Sequence, residues 1–132
     1  MKRGYRVAGL SLMLAAAFAC GSGEPEDDRC GEDALEFTVT PGFNPVISWA
    51  PVCSIAHLRI NRNVEDNPEI WAFVASSNSV LSPVTYGQTP IGATETNPPE
   101  TLIIGDTYTI TVAALDPDTG LLIVVGSAEF VR

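Results

Sequence analysis

Residues Thr107 to Val131 read TYTITVAALDPDTGLLIVVGSAEFV and contain the clearest structural pattern in the chain. The first half of this stretch alternates apolar residues, beginning at Tyr108, with threonines, which is the two-residue period of a β-strand with one buried face. The segment Asp116–Gly120 is typical of a tight turn, and a second apolar run follows it. The stretch therefore predicts a β-hairpin with strands over 107–115 and 121–131.

The chain from Ala34 onward has the same character, because short apolar alternations are separated by Pro, Gly, Asn and Asp. Further strands are predicted over 35–40, 46–49, 55–61, 70–75 and 101–104. The segment 76–100, rich in Ser, Thr, Pro, Gly and Asn, predicts only short edge strands and leaves the register of the middle strands open. About seven or eight strands over 34–132 predict an all-β fold, a two-sheet antiparallel sandwich, since each one-sided sheet must bury its apolar face.

One motif within this region resembles a known family. The segment LIIGDTYTITV, residues 102–112, resembles the fibronectin type III pattern through Leu102, Gly105 and Tyr108. The resemblance covers 34–132 and implies a fibronectin type III-like (immunoglobulin-like) sandwich, in which the Tyr108 hydroxyl bonds the nearby backbone and Trp49 is the core tryptophan of the second strand. It implies a binding, adhesion or spacer module and supplies no catalytic residues.

The first 19 residues predict a cleaved secretory signal peptide. Lys2, Arg3 and Arg6 precede an apolar run from Val7 to Ala19. That run has 13 residues, fewer than the roughly 20 that a membrane-spanning helix needs. Ala17-Phe18-Ala19-Cys20 resembles the lipobox of bacterial lipoproteins, which implies that Cys20 becomes the lipidated first residue and attaches the protein to the membrane. The alternative is ordinary secretory cleavage after Ala19, with Cys20 left as a spare thiol.

Residues 20–33 predict an acidic, flexible tether to the membrane. Residues 1–19 carry three basic and no acidic residues, so their removal changes the formal net charge from −9 to −12. Gly21 follows the lipidated cysteine where some inner-membrane lipoproteins have Asp. We therefore expect an exported protein, lipid-anchored in the bacterial cell envelope, with the outer membrane favoured and the folded part facing the periplasm or the cell surface.

The other two cysteines predict a disulfide bond. With Cys20 lipidated, Cys30 and Cys53 form an even pair in an oxidising compartment. One precedes the first strand and the other follows the second, so both are expected at the same pole of an antiparallel sandwich. The alternative is two free thiols. The tether would leave from this pole, and the opposite pole would then face outward.

Composition argues against several classes of function. The acidic charge balance excludes a basic surface for nucleic acid. The chain has one histidine, His57, and no catalytic motif such as Gly-x-Ser-x-Gly or His-Glu-x-x-His. We therefore expect no catalytic residues, no metal ligands, no cofactor and no enzymatic activity.

Two of the apolar strands offer a possible binding face. Trp71 and Phe73 share one face of the predicted strand 70–75, and His57 and Arg59 share the outer face of its neighbour. If the other side of 70–75 packs inward, the two aromatic residues are exposed and form a surface for a protein or glycan partner. The alternative assigns Trp71 or Phe73 to the core.

Taken together, the sequence favours a non-catalytic binding, adhesion or spacer module on the cell envelope. The alternative is an accessory subunit of an envelope protein assembly. Either function leaves the oligomeric state open.

Overall fold

The computed structural model describes residues 28–32 and 35–132, and these form an all-β, antiparallel fold. The described residues contain ten strands and no helix. The strands are β1 Glu36–Val39, β2 Val46–Ala50, β3 Ser54–Ile55, β4 His57–Arg62, β5 Glu69–Ala75, β6 Val80–Leu81, β7 Val84–Thr85, β8 Ala93–Asn97, β9 Thr107–Leu115 and β10 Leu122–Val131. One sheet has the order β1-β2-β7, a second has the order β10-β9-β4-β5-β8, and β3 pairs with β6.

The two larger sheets pack their apolar faces together, as in a β-sandwich. In the five-stranded sheet, register pairs Leu58 of β4 with Val112 of β9, and Ile60 of β4 with Ile110 of β9, all four fully buried. From the three-stranded sheet, Ile47 and Trp49 of β2 enter the same core. The period-two alternation in the sequence therefore places one face of each strand inside the molecule.

The predicted hairpin is present. β9 has the predicted bounds, and β10 begins one residue later than expected, at Leu122. In the turn, the Asp116 N–H donates to the Leu121 carbonyl at 2.8 Å, and the Asp116 carboxylate accepts from the Asp118 N–H at 2.8 Å. An Asp that bonds the backbone two residues on is a standard turn former, so the local sequence sets this connection.

Two strand predictions were wrong in detail. The strand expected over 55–61 is divided, because Ala56 leaves the ladder between β3 and β4 and bonds the backbones of Ala75 and Ala113. The segment 101–104 is not a strand. Leu102 is buried there without a pairing strand, and the Ile103 carbonyl instead accepts from the Asp106 N–H in a turn.

The segment 76–100 contributes three short strands, as its composition indicates. β6 and β7 have two residues each, and β8 has five. β7 lies at one edge of the three-stranded sheet, and β8 lies at the edge of the five-stranded sheet beside β5. Pairing of Ala75 with Ala93 and of Val74 with Thr94 gives the register that the sequence left open.

The folded part begins earlier than the predicted boundary at residue 34. The Asp28 carbonyl accepts from the Ser54 N–H at 2.7 Å, and the Cys30 N–H donates to the Ser54 carbonyl at 2.8 Å. These contacts place 28–30 against the sandwich rather than in the tether predicted over 20–33. The signal peptide predicted over 1–19, the lipidation site Cys20 and the tether residues 21–27 and 33 lie outside the described residues.

Candidate functional site

The predicted aromatic binding face is not exposed. Register pairs Trp71 with Ile60 and Phe73 with Leu58, so both aromatic side chains lie on the core face of β5 and are fully buried. The Trp71 ring packs edge-on against Phe73 and Tyr86, with centroids 5.4 and 5.3 Å apart. The hypothesis that these two residues meet a partner was wrong, and the alternative that assigned them to the core describes the structure. Because β5 is apolar on both faces, alternation could not show which face packs inward.

His57 and Arg59 do lie on the outer face of the five-stranded sheet. His57 is half-buried, opposite Val74 and Ala113, and Arg59 is exposed. Burial lowers the pKa of His57, and the positive charge of Arg59 lowers it further, while Glu69 opposes both effects. Within the described part of the chain, no hydrogen bond joins the His57 ring to an acid or a nucleophile, so the geometry offers no catalytic pair.

The same outer face carries exposed aliphatic side chains at its β10 edge. Leu122 is 44% exposed and Val124 is 56% exposed. Val124 lies opposite Ala113, in the row that continues to His57. A β-bulge follows Val124 and turns Val125 into the core. β10 therefore carries apolar side chains on both faces over 122–125.

The predicted cysteine pair forms a disulfide at one pole of the sandwich. Cys30 and Cys53 are bonded, buried, and separated by 23 residues in the chain. The Trp49 indole N–H donates to the Cys53 carbonyl at 3.0 Å, which ties the bridge to the core. We call this end, with the turn Asp116–Gly120, the disulfide pole. The opposite end, which carries the loops 40–45, 63–68 and 98–106, is the distal pole.

A cleft of about 320 Å³ opens at the distal pole and was not predicted from the sequence. It is lined by residues from three separate segments: Phe43, Asn44, Tyr86, Gly87, Gln88, Pro99, Glu100, Thr101 and Leu102. The loop between β1 and β2 supplies Phe43, whose side chain is 80% exposed, with the Arg132 guanidinium 4.6 Å from its ring centroid. We call this site the distal cleft. Its residues are far apart in the sequence, which is why no local motif indicated it.

Tyr86 forms the base of the distal cleft. Its hydroxyl donates to the Glu100 carbonyl at 2.6 Å and joins two of the segments that line the cleft. Burial raises the pKa of Tyr86 to about 12, so the hydroxyl remains protonated and keeps this bond at neutral pH. This hydrogen bond therefore fixes two of the segments that line the cleft relative to each other.

The motif that resembles fibronectin type III lies beside the distal cleft. The Tyr108 hydroxyl accepts from the Ile103 N–H at 2.8 Å, and the Tyr108 ring stacks on Phe130 with centroids 5.4 Å apart. Gly105 adopts a positive φ of 88°, which favours glycine. Leu102 is buried and also lines the cleft.

The described residues give no sign of a metal centre or a membrane-spanning helix. Within 28–32 and 35–132, no group of three or more His, Cys, Asp or Glu residues is arranged to hold a metal ion. The same residues contain no helix long and apolar enough to cross a bilayer. Comparison of the chain with protein-family models, with curated proteins and with solved structures found no match.

Proposed function

We propose that this protein is a lipid-anchored module of the bacterial cell envelope that binds a ligand or serves as a spacer and has no catalytic activity. One observation carries the proposal: the described chain begins at the disulfide pole, whereas the distal cleft opens at the opposite pole. A chain attached to a membrane through its first residues would present the distal pole outward.

The length of the preceding segment is compatible with this orientation. Cys20 lies eight residues before Asp28. An extended chain covers at most 3.3–3.6 Å per residue, so a lipid on Cys20 would hold the disulfide pole within about 30 Å of the membrane. A bacterial lipoprotein cysteine carries more than one acyl chain, as stable anchoring requires.

The fold is proposed to be fibronectin type III-like. In support, Tyr108 opens β9 and accepts a hydrogen bond from the backbone five residues earlier, as in a tyrosine corner. Trp49 in β2 is buried, as the resemblance implies. β8 is then an additional strand on the edge beside β5.

The anchor is tested by replacing Cys20. We expect the wild-type protein to partition into detergent after phase separation and its N-terminal peptide to carry lipid by mass spectrometry. Cys20→Ala should move the protein to the aqueous phase, whereas Cys30→Ala with Cys53→Ala should leave lipidation unchanged. A wild-type N-terminal peptide that lacks lipid would refute the anchored function.

A role as an accessory subunit is the second candidate, and the exposed aliphatic side chains of β10 favour it. Leu122 and Val124, two residues apart on the outer face of β10, are 44% and 56% exposed. Such a patch is typical of a protein interface when it is contiguous. Mild crosslinking in cells followed by purification would distinguish the two: a stoichiometric protein partner supports the assembly, and its loss in Val124→Asp would locate the contact.

A further inference from the structure

We propose that the distal cleft binds a neutral oligosaccharide, with Phe43 stacking on a sugar ring and the side-chain amides of Asn44 and Gln88 bonding its hydroxyls. This inference rests on the proposed binding function and names the chemical class of its ligand. It follows from three properties of the cleft: its hydrogen-bonding groups, its aromatic ring and its charge.

The polar side chains of the cleft are not used by the protein itself. Within the described part of the chain, the side chains of Asn44, Gln88 and Thr101 form no hydrogen bond with another residue, and all three residues are exposed. An amide offers two donor hydrogens and an acceptor oxygen, and a hydroxyl offers one donor and two acceptor lone pairs. Sugar hydroxyls are themselves both donors and acceptors, so they can satisfy these groups in pairs.

Phe43 supplies the apolar part of the site. Its side chain stays 80% exposed although the Arg132 guanidinium lies near the ring. The face of an aromatic ring is electron-rich, and the C–H bonds on the apolar face of a sugar ring are weakly positive, so the two surfaces attract. An exposed aromatic ring beside unpaired amides is therefore chemically matched to a saccharide.

The charge of the cleft favours a neutral ligand. Glu100 is the charged residue that lines it, and the Arg132 guanidinium, 4.6 Å from the centroid of the Phe43 ring, places one opposite charge beside it, so the two charges offset each other. With one negative and one positive charge at the site, a charged ligand gains no net attraction, whereas sugar hydroxyls can donate hydrogen bonds to the carboxylate. The chain as a whole is also acidic, at −9. The cleft volume of about 320 Å³ is at the small end for ligand sites, which suits a short saccharide.

Two other clefts among the described residues lack this combination. The cleft at the disulfide pole, about 200 Å³, is lined by Arg29, Glu32 and Asp116 and by aliphatic side chains, without an aromatic ring. A third, about 50 Å³, lies beside Thr40, whose hydroxyl already bonds Val46. Of these three clefts, only the distal cleft has both an exposed aromatic ring and neutral polar side chains without hydrogen-bond partners.

The test is a titration followed by ¹H–¹⁵N NMR on the protein as purified from expressing cells, in a detergent without a sugar headgroup. The probes are maltotriose, cellotriose and N,N′,N″-triacetylchitotriose, with a sulfated trisaccharide and a proline-rich peptide as comparisons. We expect at least one neutral probe to shift the side-chain amide signals of Asn44 and Gln88 and the backbone signal of Gly87.

Variants then assign the binding to the ring. Phe43→Ala should weaken affinity by about tenfold or more, whereas Phe43→Tyr and the exposed disulfide-pole control Val52→Ala should bind as wild type. Thermal unfolding of each variant checks that the fold is intact. Absence of shifts with all three neutral probes, undiminished binding by Phe43→Ala, or shifts with the peptide or the sulfated sugar alone would overturn the proposal. Lipidation at Cys20 is measured separately, so a failed cleft and a failed anchor give different results.

Discussion

At the scale of single residues, His57 shows how position on a sheet sets chemistry. It is half-buried on the outer face, where burial and then the charge of Arg59 lower its pKa from 6.5. The unfolded chain therefore takes up a proton at a higher pH than the folded protein does. Above about pH 6.5, His57 is neutral in both states and does not change the free energy of unfolding. Below that value the free energy of unfolding falls, until the pH reaches the pKa of His57 in the folded protein.

We predict that His57→Gln reduces the acid sensitivity of the fold. Between about pH 7 and pH 5, the free energy of unfolding of the wild type should fall more than that of the variant, because only the wild type gains a proton on unfolding. Urea unfolding at several pH values measures the difference. Arg59→Gln removes a charge that lowers the pKa of His57, so its pH dependence should lie between the two. Parallel curves for wild type and His57→Gln would contradict the prediction.

A second residue-scale prediction concerns the hydroxyl of Tyr108. Tyr108→Phe removes the acceptor for the Ile103 N–H and should lower the free energy of unfolding by about 1 kcal/mol. Tyr86→Phe is the comparison, because it removes a hydroxyl that bonds the backbone of another exposed residue, Glu100, and a loss of similar size is expected. Urea midpoints at unchanged m-value compare the two variants. An unchanged midpoint in Tyr108→Phe would contradict the prediction.

At the scale of strands, β1 is held to the opposite sheet by a close approach at Gly126 of β10. A Cβ atom at this position would lie 2.9 Å from Phe37 Cε2 and 3.0 Å from Leu35 Cδ1. Gly126 does not have a positive φ, so a side chain would meet a packing obstacle rather than backbone strain. Because Gly126 has no side chain, the side chains of Leu35 and Phe37 can pack directly against the backbone of β10.

We predict that Gly126→Ala lowers the free energy of unfolding by about 1–3 kcal/mol through overpacking. Phe37→Leu combined with Gly126→Ala should lose less than the sum of the two single losses, because the smaller side chain leaves room for the methyl group. Ser127→Ala, at the exposed neighbouring position, serves as the control. Additive losses in the double variant would mean that the Phe37 contact is not the cause.

Strands also show where sequence reasoning succeeds and where it stops. Strand β9 was predicted to the residue, since its threonines alternate with buried apolar side chains. Strand β5 was predicted, but the sequence did not show which of its faces is buried, because both faces are apolar. The pairing of β5 with Leu58 and Ile60 of β4 determines the buried face. The distal cleft depends on three segments that meet through tertiary structure, so no local pattern could predict it.

At the scale of the whole molecule, the fold is small and its first described residues join the sandwich at the disulfide pole. Asp28 and Cys30 bond the backbone of Ser54, and Arg29 forms a bridge with it. Small domains bury a limited fraction of their surface, so a covalent crosslink contributes a large share of their stability. Under the proposed function, any pull on the anchor reaches the sandwich through this pole.

We predict that Cys30→Ala with Cys53→Ala lowers the free energy of unfolding by about 3 kcal/mol, because the bridge closes a loop of 23 residues in the unfolded chain. The loss should be accompanied by faster hydrogen exchange at the Cys30 and Ser54 amides, since the bonds that join 28–30 to the sandwich would open without unfolding the rest. Urea unfolding and exchange NMR measure the two effects, with the exposed Val52→Ala as control. A stability loss without faster local exchange would mean that the crosslink acts on the unfolded chain alone, and that the hydrogen bonds to Ser54 hold the entry of the chain by themselves.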